Sequence, residues 1–482
     1  MLSYKKLKFG AIMFDVKTYI RRREILKKKI KSGIIILPGN EEIPMNYPAN
    51  TYRFRQDSSF LYYFGLDVPN LIGMIDADSG EEIIFGNDFE LDDIIWMGPQ
   101  PTVKSLAAKS GVKKTFTLSK TKDFVSAAIL AGRKVHFLPQ YHSRNQMTLA
   151  DLTGIMPKCI NEHKSVELIK AVIEQRLIKS SEEVKEIEYA LGISMQMHMY
   201  AMLMTSPGLF EREVAGGVDG ITYAMGMGNS FPTIFSVHGE TLHNHHYDNL
   251  MKSGDLVVND SGAESFNHYA SDITRTFPVN GKFTQKQKEI YSIVLDAQLK
   301  AIQKMKPGIN FKDVHMTAAK VIASGLKDIG LMKGNIDDAV RQGAHALFFS
   351  HGLGHNLGLD VHDLEGLGED YIGYDEKIHR SNQFGLAYLR YSKELKPGIV
   401  ITVEPGIYFI PQLIDLWKSE NKFKEFINYN KLESYRTFGG VRIEDDVLIT
   451  RTGSRVLGNP IPKEIDEVEY VCNEELREQY TT

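Results

Sequence analysis

The second half of the chain carries, in order, five segments of extended local pattern that each hold one metal-competent side chain near a glycine or turn. Asp260 closes the apolar run in LVVNDSGAE, Asp272 sits in YASDITRTFP, and His355 in HGLGHNLGLDVHD. Glu404 follows VITV and precedes Pro405-Gly406, and Glu444 lies in FGGVRIEDDVLIT. In that last segment strand alternation puts Val441, Ile443 and Asp445 on one face and Arg442, Glu444 and Asp446 on the other. Carboxylates at the ends of separate strands serve one site only if the strands converge, which restricts the folds open to the chain. Asp255–Asn259 and Val400–Val403 read as strands, while Thr284–Met305 reads as a long amphipathic helix closed by Pro307-Gly308. Strands among long helices without regular βαβ repetition indicate an α+β domain.

The first 160 residues have another rhythm. Ser32–Leu37 is a buried-strand candidate ended by Pro38-Gly39-Asn40, and Asn70–Asp76 with Glu82–Phe85 reads as a hairpin around Asp78-Ser79-Gly80. Lys122–Ala131 reads as a helix and Lys134–Leu138 as a strand, so a smaller α/β domain precedes the larger one. A charged helical stretch from about Val166 to Ile178 follows, and then Ser180-Ser-Glu-Glu183, a capping box that opens a further helix. The expected division is 1–165 and 178–482.

Lys plus Arg number 57 against 61 Asp plus Glu, a net charge of −4 that gives no general attraction to nucleic acid or anionic membranes. With 43% apolar and 24% charged residues the chain is an ordinary globular one. No stretch approaches the roughly 18 apolar residues that span a bilayer. The basic start Lys5, Lys6, Lys8 is followed by a short apolar run, Phe9–Phe14, that Asp15 ends, a poor secretory signal. Cys159 and Cys472 are the only cysteines and read as reduced thiols. These features predict a cytoplasmic protein. Arg21–Arg23 and Lys27–Lys29, interleaved with Ile20, Ile25, Leu26 and Ile30, predict a helix with a solvated basic face.

Asp and Glu oxygens with one imidazole suit Mn²⁺, Co²⁺ or Zn²⁺, and the lack of thiolates argues against a structural zinc centre. Two divalent ions about 3.5–4 Å apart need bridging carboxylates. His351 and His355 are four residues apart, but the glycines between them exclude a helical zinc motif. Each residue alone has a plainer explanation: a strand-end Asp is a common turn former, and His243, His245 and His246 in TLHNHHYDN read as surface loop. The order Asp, Asp, His, Glu, Glu outweighs those single explanations.

These motifs, together with YRFRQDSSFLYYFGL at Tyr52–Leu66, resemble the pita-bread metallopeptidases, in particular the proline-specific branch containing aminopeptidase P and prolidase. The resemblance covers nearly the whole chain and implies a pita-bread catalytic domain of the creatinase/aminopeptidase kind behind a non-catalytic N-terminal domain. It implies that Asp260 is a terminal ligand of one metal, Asp272 and Glu444 bridge, and His355 and Glu404 hold the other. It further implies a catalytic role for His243, His362 and Glu404, with Glu404 carrying a proton to the leaving nitrogen. His351, Arg390 and Arg442 would meet substrate or support the site. Asp260 and Asp272 are 12 apart, one more than in many members, which fits a longer hairpin turn at Glu264–His268.

The implied activity is hydrolysis of the Xaa–Pro bond at the N-terminus of peptides, with two divalent ions, Mn²⁺ first and Co²⁺ or Zn²⁺ as alternatives. The implied partners are peptides with proline second and another copy of the chain in a homodimer or higher homo-oligomer. Prolidase, which cleaves only Xaa–Pro dipeptides, is the alternative: Arg390 stands 14 residues before Glu404, where prolidases place an arginine for the dipeptide carboxylate. The insertion Tyr408–Phe438 is also prolidase-like, while Lys393 and Lys396 around Arg390 also fit an exposed loop. Methionine aminopeptidases usually lack the large N-terminal domain. Creatinase-like members and non-catalytic peptide-binding modules lose ligands, and modules of the latter kind carry acidic tails, unlike CNEELREQYTT here.

Overall fold

The computed structural model describes residues 14–473. The basic start Lys5–Lys8, most of the apolar run after it, and the tail beyond Asn473 lie outside the described residues. The chain divides into two compact units, Met1–Arg176 and Leu177–Thr482.

The first unit is built on a five-stranded sheet ordered Lys114–Phe116, Glu82–Phe85, Ile72–Asp76, Ile34–Pro38, Val135–His136. The hairpin predicted around Asp78-Ser79-Gly80 forms, with Met74 opposite Ile83, and the last strand is shorter than its sequence suggests. Ile34, Ile36, Met74, Ile83 and Phe85 pack with Val125, Ala128 and Leu149 into one core. The basic helix Val16–Lys29 departs from expectation, because Arg22 and Arg23 are buried. Arg22 Nη1 donates to Tyr62 O (3.0 Å) and Arg23 Nη1 to Tyr63 O (2.8 Å), carbonyls in the last turn of the helix Ser58–Phe64. Arg23 Nη2 also lies 2.9 Å from Glu82. A guanidinium can be buried where helix-end carbonyls and a carboxylate take its donors.

The second unit repeats one arrangement. A helix pair, Ser181–Met204 and Glu211–Met225, precedes the antiparallel sheet Ile273–Pro278, Leu256–Ser261, Ile234–Ser236. A second pair, Gln285–Lys304 and Phe311–Asp328, precedes the antiparallel sheet Val400–Val403, Asp445–Ile449, Ser454–Val456. The predicted capping box is present, with Ser180 N donating to Glu183 (2.9 Å) and Glu183 N to Ser180 Oγ. The strands are short, the longest described ones, Leu256–Ser261 and Ile273–Pro278, only six residues long. A two-stranded ladder, Gly406–Tyr408 with Gly440–Arg442, joins the halves, since Arg442 N donates to Thr276 Oγ1 and Glu444 N to Thr274 O.

The insertion after Tyr408 forms the helices Pro411–Ser419 and Tyr429–Leu432 and packs Trp417 against Phe384. Asp260 pairs with Thr274 across the first sheet, so Asp272 stands one residue before its strand. The hairpin tip turns at His268, whose φ is 62°, and closes by a bridge between Glu264 and Ala270.

Candidate metal centre

Ten side chains singled out from the sequence, His243, Asp260, Asp272, His351, His355, His362, Arg390, Glu404, Arg442 and Glu444, line one pocket of about 540 Å³. Asp260 lies in a strand of the first sheet and Arg442 in the two-stranded ladder, Asp272, Glu404 and Glu444 flank strand ends, and His243, His351, His355, His362 and Arg390 lie in loops. Gly354 makes the close approach of its loop possible: a Cβ there would stand 2.0 Å from Thr402 O. The His355 amide then donates to Thr402 Oγ1 (3.1 Å), which fixes the imidazole beside Glu404.

The centre is crowded with acid. His355 Nε2 lies 3.3 Å from Asp272 Oδ2 and 3.7 Å from Glu404 Oε1. Ligand-capable atoms of Asp272, His355 and Glu444 all lie within 4.8 Å of one another, and all three residues are buried. Burial raises the Asp272 carboxyl well above the usual range, helped by Asp260, Asp446 and Glu404. Burial does the same to Glu444, with Asp272, Glu404 and Asp260 adding to it. Glu404 is pushed up to about 7 by burial, against the pull of His355 and Arg442.

Asp260, Asp272, Glu404 and Glu444 thus share one pocket with a single buried guanidinium, Arg442. Asp260 Oδ1, Asp272 Oδ1 and Glu444 Oε1 are buried without a hydrogen-bond partner. Buried carboxylate oxygens left without donors are costly unless cations meet them. Four carboxylates and an imidazole, all oxygen and nitrogen donors, fit a pair of divalent ions.

Supporting contacts explain the aim of these groups. Arg442 Nη2 meets Asp260 Oδ2 at 2.6 Å, its Nε donates to Thr274 Oγ1 (3.1 Å) and its Nη1 to Tyr408 OH (3.0 Å). Thr274 Oγ1 in turn donates to Glu444 Oε2 at 2.7 Å. Arg442 therefore sits beside Glu444 through Thr274, and its guanidinium is occupied by protein. Asp446 Oδ2 accepts from Asp272 N (3.1 Å), which matches the predicted face of Arg442, Glu444 and Asp446 even though the strand is interrupted at 443–444. His351 Nε2 is 2.9 Å from Tyr408 OH, and burial holds its pKa down at about 3. His362 stacks on His355, ring centroids 3.8 Å apart and planes 17° from parallel.

Sequence reasoning missed several members. His245, which reads from the sequence as surface loop, lies exposed in a loop but joins His243, expected there from the resemblance, on the pocket wall. Thr274 and Thr402 lie two residues from Asp272 and Glu404, so strand alternation was a usable signal for both. Tyr408 gave none, because only the ladder carries its hydroxyl to His351 and Arg442. Glu365 was also unsuspected; it lies 3.0 Å from His362 Nδ1 and 3.3 Å from Arg390 Nη1.

Residues 185–451 match the model of metallopeptidase family M24, and residues 19–136 that of the aminopeptidase P N-terminal domain. The chain is 32% identical to human Xaa-Pro dipeptidase over 91% of its length and 88% of the relative. It is 31% identical to the Escherichia coli Xaa-Pro aminopeptidase over 93% of its length and 96% of the relative. Zinc-substituted E. coli aminopeptidase P in complex with product superposes with a TM-score of 0.78 at 29% identity, covering 95% of this chain and 98% of that one. The fold and the acid-rich pocket are those of a two-domain metallohydrolase of the pita-bread kind. The chain belongs to metallopeptidase family M24.

Proposed function

We propose that this metallopeptidase hydrolyses the Xaa–Pro bond at the N-terminus of peptides. The observation that carries the reading is the convergence of four carboxylates, three of them buried, and His355, with three carboxylate oxygens left without donors. Asp260 would hold one ion, His355 and Glu404 the other, and Asp272 and Glu444 both. When bound, the ions polarise the scissile carbonyl and acidify the attacking water.

The chain's own groups do the rest. Arg442 aims Asp260, and the Thr274 hydroxyl aims Glu444. Glu404 carries the proton to the proline nitrogen as the bond breaks. His243 and His362, on the pocket wall, face the carbonyl oxygen as negative charge develops on it. His351, held by Tyr408, contributes to the wall that orients the substrate. The bond before proline is a tertiary amide without an N–H, so the pocket must grip the ring by shape. Phe231, Pro232, Ile234, Val361, Phe384 and Tyr388 supply an apolar surface for that.

Manganese as the working metal, a homodimer and a cytoplasmic setting belong to the same reading, with the first unit as a non-catalytic domain. No helix among the described residues is long and apolar enough to cross a membrane. Arg390 on the pocket wall favours a second reading, an Xaa–Pro dipeptidase with the guanidinium as carboxylate receptor. Turnover by the Mn²⁺-loaded protein on Ala-Pro and on Arg-Pro-Pro-Gly-Phe separates the two. Arginine released from the longer peptide supports the aminopeptidase, and cleavage of Ala-Pro alone supports the dipeptidase. Inactivity on both overturns the Xaa–Pro reading.

A further inference from the structure

The pocket has two arginines on its wall, and they differ in what they have left to offer. Each guanidinium nitrogen of Arg442 already has a protein partner, Thr274, Tyr408 or Asp260. The arginine better placed to meet an anionic group on a substrate is Arg390, whose side chain is 35% exposed against 4% for Arg442. Arg390 already has company. Its Nη1 pairs with Glu369 and lies 3.3 Å from Glu365 Oε2. Glu369 is shared with Arg380, whose Nη2 stands 2.9 Å from Glu369 Oε2 and whose Nε donates to Asp370 at 3.0 Å. Two arginines thus face three carboxylates, so the cluster in which Arg390 sits carries no net positive charge.

We propose that Glu369, seconded by Glu365, is a specificity-determining latch: by occupying Arg390 it selects peptides that continue beyond the proline over Xaa–Pro dipeptides. The inference rests on the Xaa–Pro reading above. A dipeptide brings a carboxylate directly after the proline ring, and that charge must compete with two glutamates for one guanidinium. A longer peptide has a neutral amide at the same point and pays no such penalty. Removing one competing carboxylate strengthens the receptor for the dipeptide and leaves the longer substrate as it was.

The test compares kcat and KM of the Mn²⁺-loaded full chain on Ala-Pro and Ala-Pro-Ala. In Glu369→Gln, KM for Ala-Pro should fall about fivefold, the worth of one partly exposed ion pair, with kcat and both Ala-Pro-Ala constants unchanged. Glu369→Asp should restore the original selectivity, and Glu369→Gln/Arg390→Ala should lose the gain. Glu365→Gln should shift KM for Ala-Pro in the same direction. An unmoved ratio in an active enzyme overturns the latch. So does a rise in KM for Ala-Pro, since Glu369 would then be orienting Arg390 for the carboxylate. Absence of turnover on both substrates by the metal-loaded original chain removes the Xaa–Pro reading and the latch together.

Discussion

Arg442 offers its guanidinium in three directions at once, to Asp260, Thr274 and Tyr408, and each contact depends on the planar fork. Lysine keeps the charge and loses the fork, so Arg442→Lys is expected to weaken metal affinity roughly 10- to 100-fold, read by chelator competition. Asp272→Ala or Glu444→Ala should abolish metal loading and turnover. The metal-free form of either variant should unfold at a higher temperature than the metal-free parent, because one crowded buried carboxylate is gone. Metal analysis and a thermal melt check both halves of that statement. The acidic residues themselves were legible in the sequence, since each sits in a recognisable strand-and-turn pattern. The partners that aim them were less so: Thr274 follows from alternation, but Tyr408 is an ordinary apolar-strand tyrosine until its strand pairs with Gly440–Arg442.

Among the elements, the segment from His351 to His355 depends most on a single backbone approach. Gly354→Ala would drive a methyl into Thr402 O, 2.0 Å away, and push His355 from the carboxylates. Activity and metal uptake should both be lost, with a drop of about 2–4 kcal/mol in stability measured by urea unfolding. Gly262 plays a like part in the hairpin, where a Cβ would come within 1.9 Å of Ser271 O. Period and capping signals gave the helix Gln285–Lys304, the capping box at Ser180 and the strand Val400–Val403 almost to the residue. They misread the face of Val16–Lys29, because local periodicity does not say that carbonyls from a helix some 40 residues on will receive Arg22 and Arg23.

For the whole molecule, pH stability should be governed partly by groups that lie behind the pocket wall, where His315 packs on Phe349 and Phe349 on His351. His315 and His345 are buried side by side, ring centroids 6.5 Å apart, with no partner at any ring nitrogen. Burial holds His315 down at about 3 and His345 at about 4. The unfolded chain takes up protons at these positions below about pH 6.5, and the folded one does not. Stability is therefore expected to fall between pH 6.5 and 4 and to be indifferent to these two groups above pH 6.5. Thermal melts across that range in the parent and in His345→Leu, whose slope should be shallower, test it. The repeat of helix pair and sheet has another consequence. Asp260 and Asp272 belong to its first copy, while His355, Glu404 and Glu444 belong to the second. Neither copy could complete the centre alone, so a chain severed near Asn280-Gly281, between the strand ending at Pro278 and the helix starting at Gln285, would give two fragments whose reunion is reported by the metal they share, a complementation switch thrown by an ion.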